Sequence, residues 1–218
     1  MCFSASASFG ASAVLSVAGV VSFARSRTTA QRFLAAVPFI FAIQQFTEGV
    51  VWMSLLHQAW AHWERTATYG FLVFAQMVWP VYIPLCILLY EGEPVKKKIM
   101  TALFVAGIVL SAYIGYCLCN YSIVAVVEQH HIKYELGFPL AHQWYYGLLY
   151  FLPTILAPVI SSMKRLRWLG YLFLISYVAT RLLFHLFEVS IWCFWGAAIS
   201  LIVLGIIMKP EKAIVGRT

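Results

Sequence analysis

The chain has 218 residues, 62% hydrophobic and 11% charged, with a mean hydropathy of +0.84. Soluble domains carry about 25% charged residues, so this chain lacks a polar coat for water and takes lipid as its solvent. The net charge is +7, but no basic stripe with interleaved aromatics lies outside the apolar stretches, which argues against a nucleic-acid surface. There is no Asp anywhere, and that removes any mechanism needing one.

A membrane helix needs about 17 to 25 apolar residues. Seven segments meet this and predict an all-α, seven-helix bundle forming one transmembrane domain over residues 1–218. The first is Ser8–Ala24. Its basic neighbours Arg25, Arg27 and Arg32 follow the apolar stretch instead of preceding it, so it reads as a retained span and not a signal peptide. Ser8, Ser12 and Ser16 recur every four residues, which predicts close packing on a neighbour. The second and third spans are Phe33–Leu56 and Thr68–Tyr90, and the fourth is Ile99–Leu118. The loop 119–143 alternates at Ile132, Tyr134 and Leu136 after a polar turn at Glu128–His131, the pattern of a short β-hairpin. The fifth, sixth and seventh spans are Trp144–Met163, Trp168–His185 and Val189–Met208. The polar break "HLFEVS" divides the last two, with Glu188 or Ser190 expected to cap the seventh helix. Pro38, Pro80, Pro84, Pro153 and Pro158 fall inside spans, and each tends to kink its helix. Tryptophans near the outer ends, Trp192 among them, read as an interfacial belt.

Charge fixes the expected orientation. Arg25/Arg27/Arg32, Lys96/Lys97/Lys98, Lys164/Arg165/Arg167 and Lys209/Lys212/Arg217 all fall on one side of a seven-span chain, against Arg65 and Lys133 on the other. The positive-inside rule then places the N-terminus outside, the C-terminus in the cytoplasm and the hairpin outside. The localisation this implies is a bacterial inner membrane, crossed many times.

Ionisable groups within spans cost about 2.5 to 3.5 kcal/mol each and usually face a partner or water. They are Glu48 in the second span, Arg181 and His185 in the sixth, and Glu188 at the junction of the last two. Glu48 and Arg181 come at similar depth, so an ion pair between them is geometrically feasible. Together with Gln44 and Gln45, these residues outline a polar pocket in the outer half of the bundle. The six histidines fall at or beyond the outer boundary. A His-plus-Glu set can hold a divalent ion such as zinc, and His185, Glu188, Glu48 and His142 are the candidate ligands. Cys2, Cys117, Cys119 and Cys193 lie on the side where disulfides form, and Cys86 reads as an apolar filler.

The start "MCFSASASF", with "QQFTEGVVW" in the second span and "SIWCFW" opening the seventh, resembles an uncharacterised bacterial family of multi-span membrane proteins that begin Met-Cys-Phe-Ser. The resemblance implies the spans and marks Cys2, Glu48 and Trp192. It implies no activity. A microbial-rhodopsin reading fails because the seventh span has no central lysine. Ceramidase-like zinc hydrolases need an Asp and a His-xxx-His pair, and this chain has neither. Three functions stay open at this point. The leading one is an outward-facing pocket for a metal ion or small polar ligand, in transport or sensing. The others are a metal-dependent membrane hydrolase, in which Glu48 or Glu188 acts as base, and a structural accessory subunit.

Overall fold

The computed structural model describes residues 4–128, 130–143, 145–183 and 187–208, apart from the side chain of His142. Seven helices are seen among the described residues: α1 (Ala5–Arg25), α2 (Thr29–Leu56), α3 (Gln58–Tyr90), α4 (Pro94–Asn120), α5 (Tyr146–Ile160), α6 (Lys164–Leu183) and α7 (Glu188–Met208). Six of these are long and apolar enough to cross a membrane, and α5 is apolar but shorter. Aliphatic side chains such as Val17, Val109, Ile175 and Leu182 are exposed on the outer surface. Such a surface suits hydrocarbon and not water.

Local chemistry explains the boundaries. Ser4 caps α1 by accepting the Ala7 N–H at 3.3 Å. Thr28 and Gln31 form a reciprocal capping box that starts α2. The expected small-residue packing is present: Ser8, Ser12, Leu15, Ala18, Gly19 and Ser22 form the buried face of α1, which packs chiefly on α2. Ser12 Oγ donates to the Ala42 carbonyl at 2.8 Å, and a Cβ on Gly19 would sit 2.9 Å from Phe39 Cβ.

Proline shapes α3 and α5. Pro80 has no N–H, so the carbonyl four residues earlier loses its partner, and residues Val73–Val78 widen into a π segment. The carbonyls on either side of Gln76 accept hydroxyls from neighbouring helices. Tyr150 Oη donates to Ala75 O at 2.6 Å, and Ser111 Oγ to Met77 O at 2.7 Å. In α5 a second π segment, Leu152–Leu156, contains Pro153 and precedes Pro158. That helix stops at Ile160, where Ser161 turns extended at ψ 143°, short of the expected Met163.

The short connectors 26–28, 91–93 and 161–163 turn α2, α4 and α6 back along the helices before them. The basic residues Arg25, Lys96–Lys98, Lys164, Arg165 and Arg167 lie beside these connectors, Lys96–Lys98 at the end of α4 away from the hairpin. At that end Glu91 joins two turns. Its Oε1 accepts the N–H groups of Gly92 and Glu93, each at 3.0 Å, and its Oε2 accepts Ser162 N–H at 2.9 Å. Burial alone would raise the Glu91 pKa, but the bonds from Ser162 and Glu93 outweigh it and hold the carboxyl below its usual range.

The other end carries the hairpin, β1 (Ile123–Glu128) antiparallel to β2 (His131–Leu136), with Ala125 opposite Tyr134. His130 takes φ 64° in the turn. Ile132 is fully buried, and Tyr134 stacks on Phe71 of α3 with centroids 4.8 Å apart. The hairpin is thus seated on the helices. Its His131 ring lies 4.7 Å from Phe187, just before α7. Burial, with His130 nearby, lowers the His131 pKa.

Candidate functional site

Gln44, Gln45 and Glu48 occupy one stretch of α2, all with no exposed surface. A carboxylate there needs donors, and two are close. Gln45 Nε2 donates to Glu48 Oε2 at 3.2 Å, and Ser190 Oγ of α7 donates to Glu48 Oε1 at 2.5 Å. Gln44 Oε1 accepts the Trp79 indole N–H of α3 at 2.7 Å. This cluster ties α2 to α3 and α7. Gln44 Nε2 and Gln45 Oε1 have no hydrogen-bond partner among the described residues, so it keeps spare capacity to donate and accept.

The expected Glu48–Arg181 pairing gives way to a different arrangement. Arg181 bonds Glu188, linking the end of α6 to the start of α7. The reason is that Glu48 is already met by the Ser190 hydroxyl and the Gln45 amide, while Arg181, in the described part of α6, lies within reach of Glu188 in the first turn of α7. Nor does Glu188 or Ser190 cap α7: Phe187 is the N-cap, without a side-chain bond. Ser190 is turned inward to Glu48 instead.

The Arg181–Glu188 pair lines a cleft of about 800 Å³ under the hairpin, within the size range of small-molecule sites. Lys133 and Glu135 of β2 contribute a second ion pair to its wall, at 2.9 Å. Gln76, Tyr146, Tyr177 and Trp192 are among its other polar and aromatic lining residues. Tyr146 Oη donates to Gln76 Oε1 at 2.7 Å, and the Tyr177 phenol lies beside Glu188. The Trp192 ring meets Tyr150 and Tyr177 edge-on, at 5.5 and 5.3 Å. Gly147 leaves room for Tyr177, since a Cβ there would lie 2.6 Å from its hydroxyl.

The expected pocket is therefore divided in two. Arg181 and Glu188 line the cleft, whereas Gln44, Gln45 and Glu48 do not. Cys193 stands between the groups, lining the cleft while its thiol lies beside Gln44 and Glu48. Sequence reasoning missed Gln76 because, unlike Gln44 and Gln45 beside Glu48, it stands in a span with no Glu, Lys, Arg or His to mark it. Its signal was available: a glutamine in an apolar span, four residues before Pro80. Trp192, expected in an interfacial belt, lines the cleft instead.

The expected zinc set is only partly within view. His185, the side chain of His142, and Cys2 lie outside the described residues. Among the described residues no group of three or more His, Cys, Asp or Glu is placed to hold a metal ion. Cys86, Cys117, Cys119 and Cys193 are free thiols.

No curated protein and no solved structure matches the chain. A family model described as a family of unknown function (DUF6629) matches residues 1–217. With its long apolar helices, its buried carboxylate cluster and its hairpin-covered cleft, the chain belongs to that family of unknown function.

Proposed function

We propose that this is a seven-span membrane protein that opens its cleft on the extracytoplasmic face and binds a small polar ligand there, in transport or sensing. The observation that carries the reading is the cleft itself. It is large, it is lined by two ion pairs, two amides and several aromatic rings, and it lies at the end remote from the basic clusters. The positive-inside rule puts those clusters in the cytoplasm and the hairpin outside. Seven crossings, counting the short α5, satisfy the rule at every connection. Helix α5 has about 22 Å of rise, less than the roughly 30 Å hydrocarbon core, and bilayer thinning can absorb such a mismatch. The buried Glu48 cluster acts as a support: it positions α7, and with it Glu188 and Trp192.

The test is a thermal-shift screen of the full chain in lipid nanodiscs against small polar metabolites, repeated with Gln76→Ala. A hit that raises the unfolding midpoint in the wild type and is lost in the variant supports the reading. A screen without any cleft-dependent hit refutes it and favours a purely structural subunit.

A further inference from the structure

We infer that the ligand of this cleft is a zwitterion, a molecule with an alkylated ammonium and an anionic group a few ångströms apart. This rests on the ligand-binding reading above and narrows it.

Charge balance is the first argument. Among the described residues, the charged groups lining the cleft are Lys133, Glu135, Arg181 and Glu188, two of each sign. Each cation is already matched, Lys133 with Glu135 and Arg181 with Glu188. A ligand with net charge would separate a pair and leave one member without a counter-ion, a modest cost for pairs this exposed but one that a charge-balanced ligand does not incur. A zwitterion exchanges instead of separating. Its anion takes the place of Glu188 on Arg181, its cation takes the place of Arg181 beside Glu188, and every charge stays paired.

Helical spacing is the second argument. Tyr177 lies four residues before Arg181 on α6, and Trp192 four residues after Glu188 on α7. Each charged group thus stands one turn from an aromatic ring on the same helix face. Tyr177 and Tyr150 meet Trp192 at 72° and 77°, forming an aromatic corner beneath the Glu188 carboxylate. Aromatic faces beside a carboxylate are the surroundings in which alkylated ammonium groups bind, through cation–π attraction. The guanidinium of Arg181, at the rim, provides a planar fork for a carboxylate or phosphate.

Two sources share this chemistry. One is a free betaine. The other is the phosphocholine head of a lipid, which could enter beside Leu182 and Leu183, 76% and 71% exposed next to Arg181.

The experiment measures binding of labelled glycine betaine to the full chain in detergent, in competition with its uncharged-carbon isostere 3,3-dimethylbutanoate and with choline. In parallel, native mass spectrometry reads lipid retention from equal mixtures of phosphatidylcholine and phosphatidylglycerol. Betaine should bind about tenfold more tightly than either competitor, and Trp192→Leu and Glu188→Gln should each abolish that preference. This outcome identifies a free ligand. Selective retention of phosphatidylcholine, lost in both variants, supports the same chemistry with the lipid as source. Unchanged elution on size exclusion verifies that each variant is folded. Equal affinity for betaine and its isostere, or no selectivity in either arm, overturns the inference. A metabolite-screen hit that is anionic or cationic alone would overturn it too, while leaving the ligand-binding reading intact.

Discussion

Ser190→Ala removes the hydroxyl that donates to Glu48 Oε1 at 2.5 Å. Both partners have no exposed surface, so water does not step in to replace the bond. Hydrogen bonds to charged groups contribute about 1.5–3 kcal/mol, and Ser190→Ala should destabilise the protein by that much. Glu48→Gln should cost a similar amount, because it weakens the bonds from Ser190 and Gln45 together. The double variant loses the shared bond only once, so it should fall short of additivity by about 1–2 kcal/mol. Glu48 and Arg181 have separate partners, Ser190 with Gln45 and Glu188 respectively. Effects of Glu48→Gln and Arg181→Gln should therefore add to within about 0.5 kcal/mol. Arg181→Gln alone should cost under about 1 kcal/mol, because the Arg181 side chain is 49% exposed. Reversible unfolding in mixed micelles, titrated with a denaturing detergent, reads the wild type and all five variants. Additive Glu48 and Ser190 effects, or coupling of Glu48 to Arg181, would refute the two-cluster description.

Three further outcomes follow from local geometry. A Cβ at Gly107 would lie 1.8 Å from Pro80 O, so Gly107→Ala must push α3 and α4 apart, costing about 1–3 kcal/mol or more; the control Gly10→Ala, with nothing within 4 Å, should be neutral or stabilising in the same unfolding assay. Glu91 has a lowered pKa, so its stabilisation is complete above its ordinary value near 4.5 and is lost as pH falls through the folded-state value. Melting curves should show Glu91→Gln less stable than wild type at pH 7, with the gap closing below pH 4.5; a constant gap would contradict this. Gly147→Ala should displace the Tyr177 hydroxyl, 2.6 Å from the new Cβ, with little loss of stability because a ring tip can move. Ligand affinity measured by thermal shift should change while the apo midpoint holds within a few degrees.

The helices were legible because hydropathy is a property of segments. α2 ends at Leu56 and α3 at Tyr90, each as expected from apolar length alone. The hairpin was legible from alternation, since Ile132 and Tyr134 point inward every second residue. Pairing was not legible. Depth along a helix made Glu48 and Arg181 plausible partners, but depth says nothing about the angle at which two helices present their faces. The inward turn of Ser190 decided the fate of Glu48, and a serine opening a helix reads equally well as a cap. Gln76 reaches the cleft on a π segment, whose register shift a regular helical wheel does not carry.

The account depends most on a cleft open to the outside above a sealed Glu48 cluster. Single cysteines at Glu188 and Glu48, in a background with all five native cysteines (Cys2, Cys86, Cys117, Cys119 and Cys193) replaced by serine or alanine, can be challenged with a membrane-impermeant maleimide on intact cells. Glu188→Cys should be labelled without permeabilisation, and Glu48→Cys only after unfolding. Labelling of Glu188→Cys solely from the cytoplasmic side, or equal labelling of both positions in intact cells, would contradict the account.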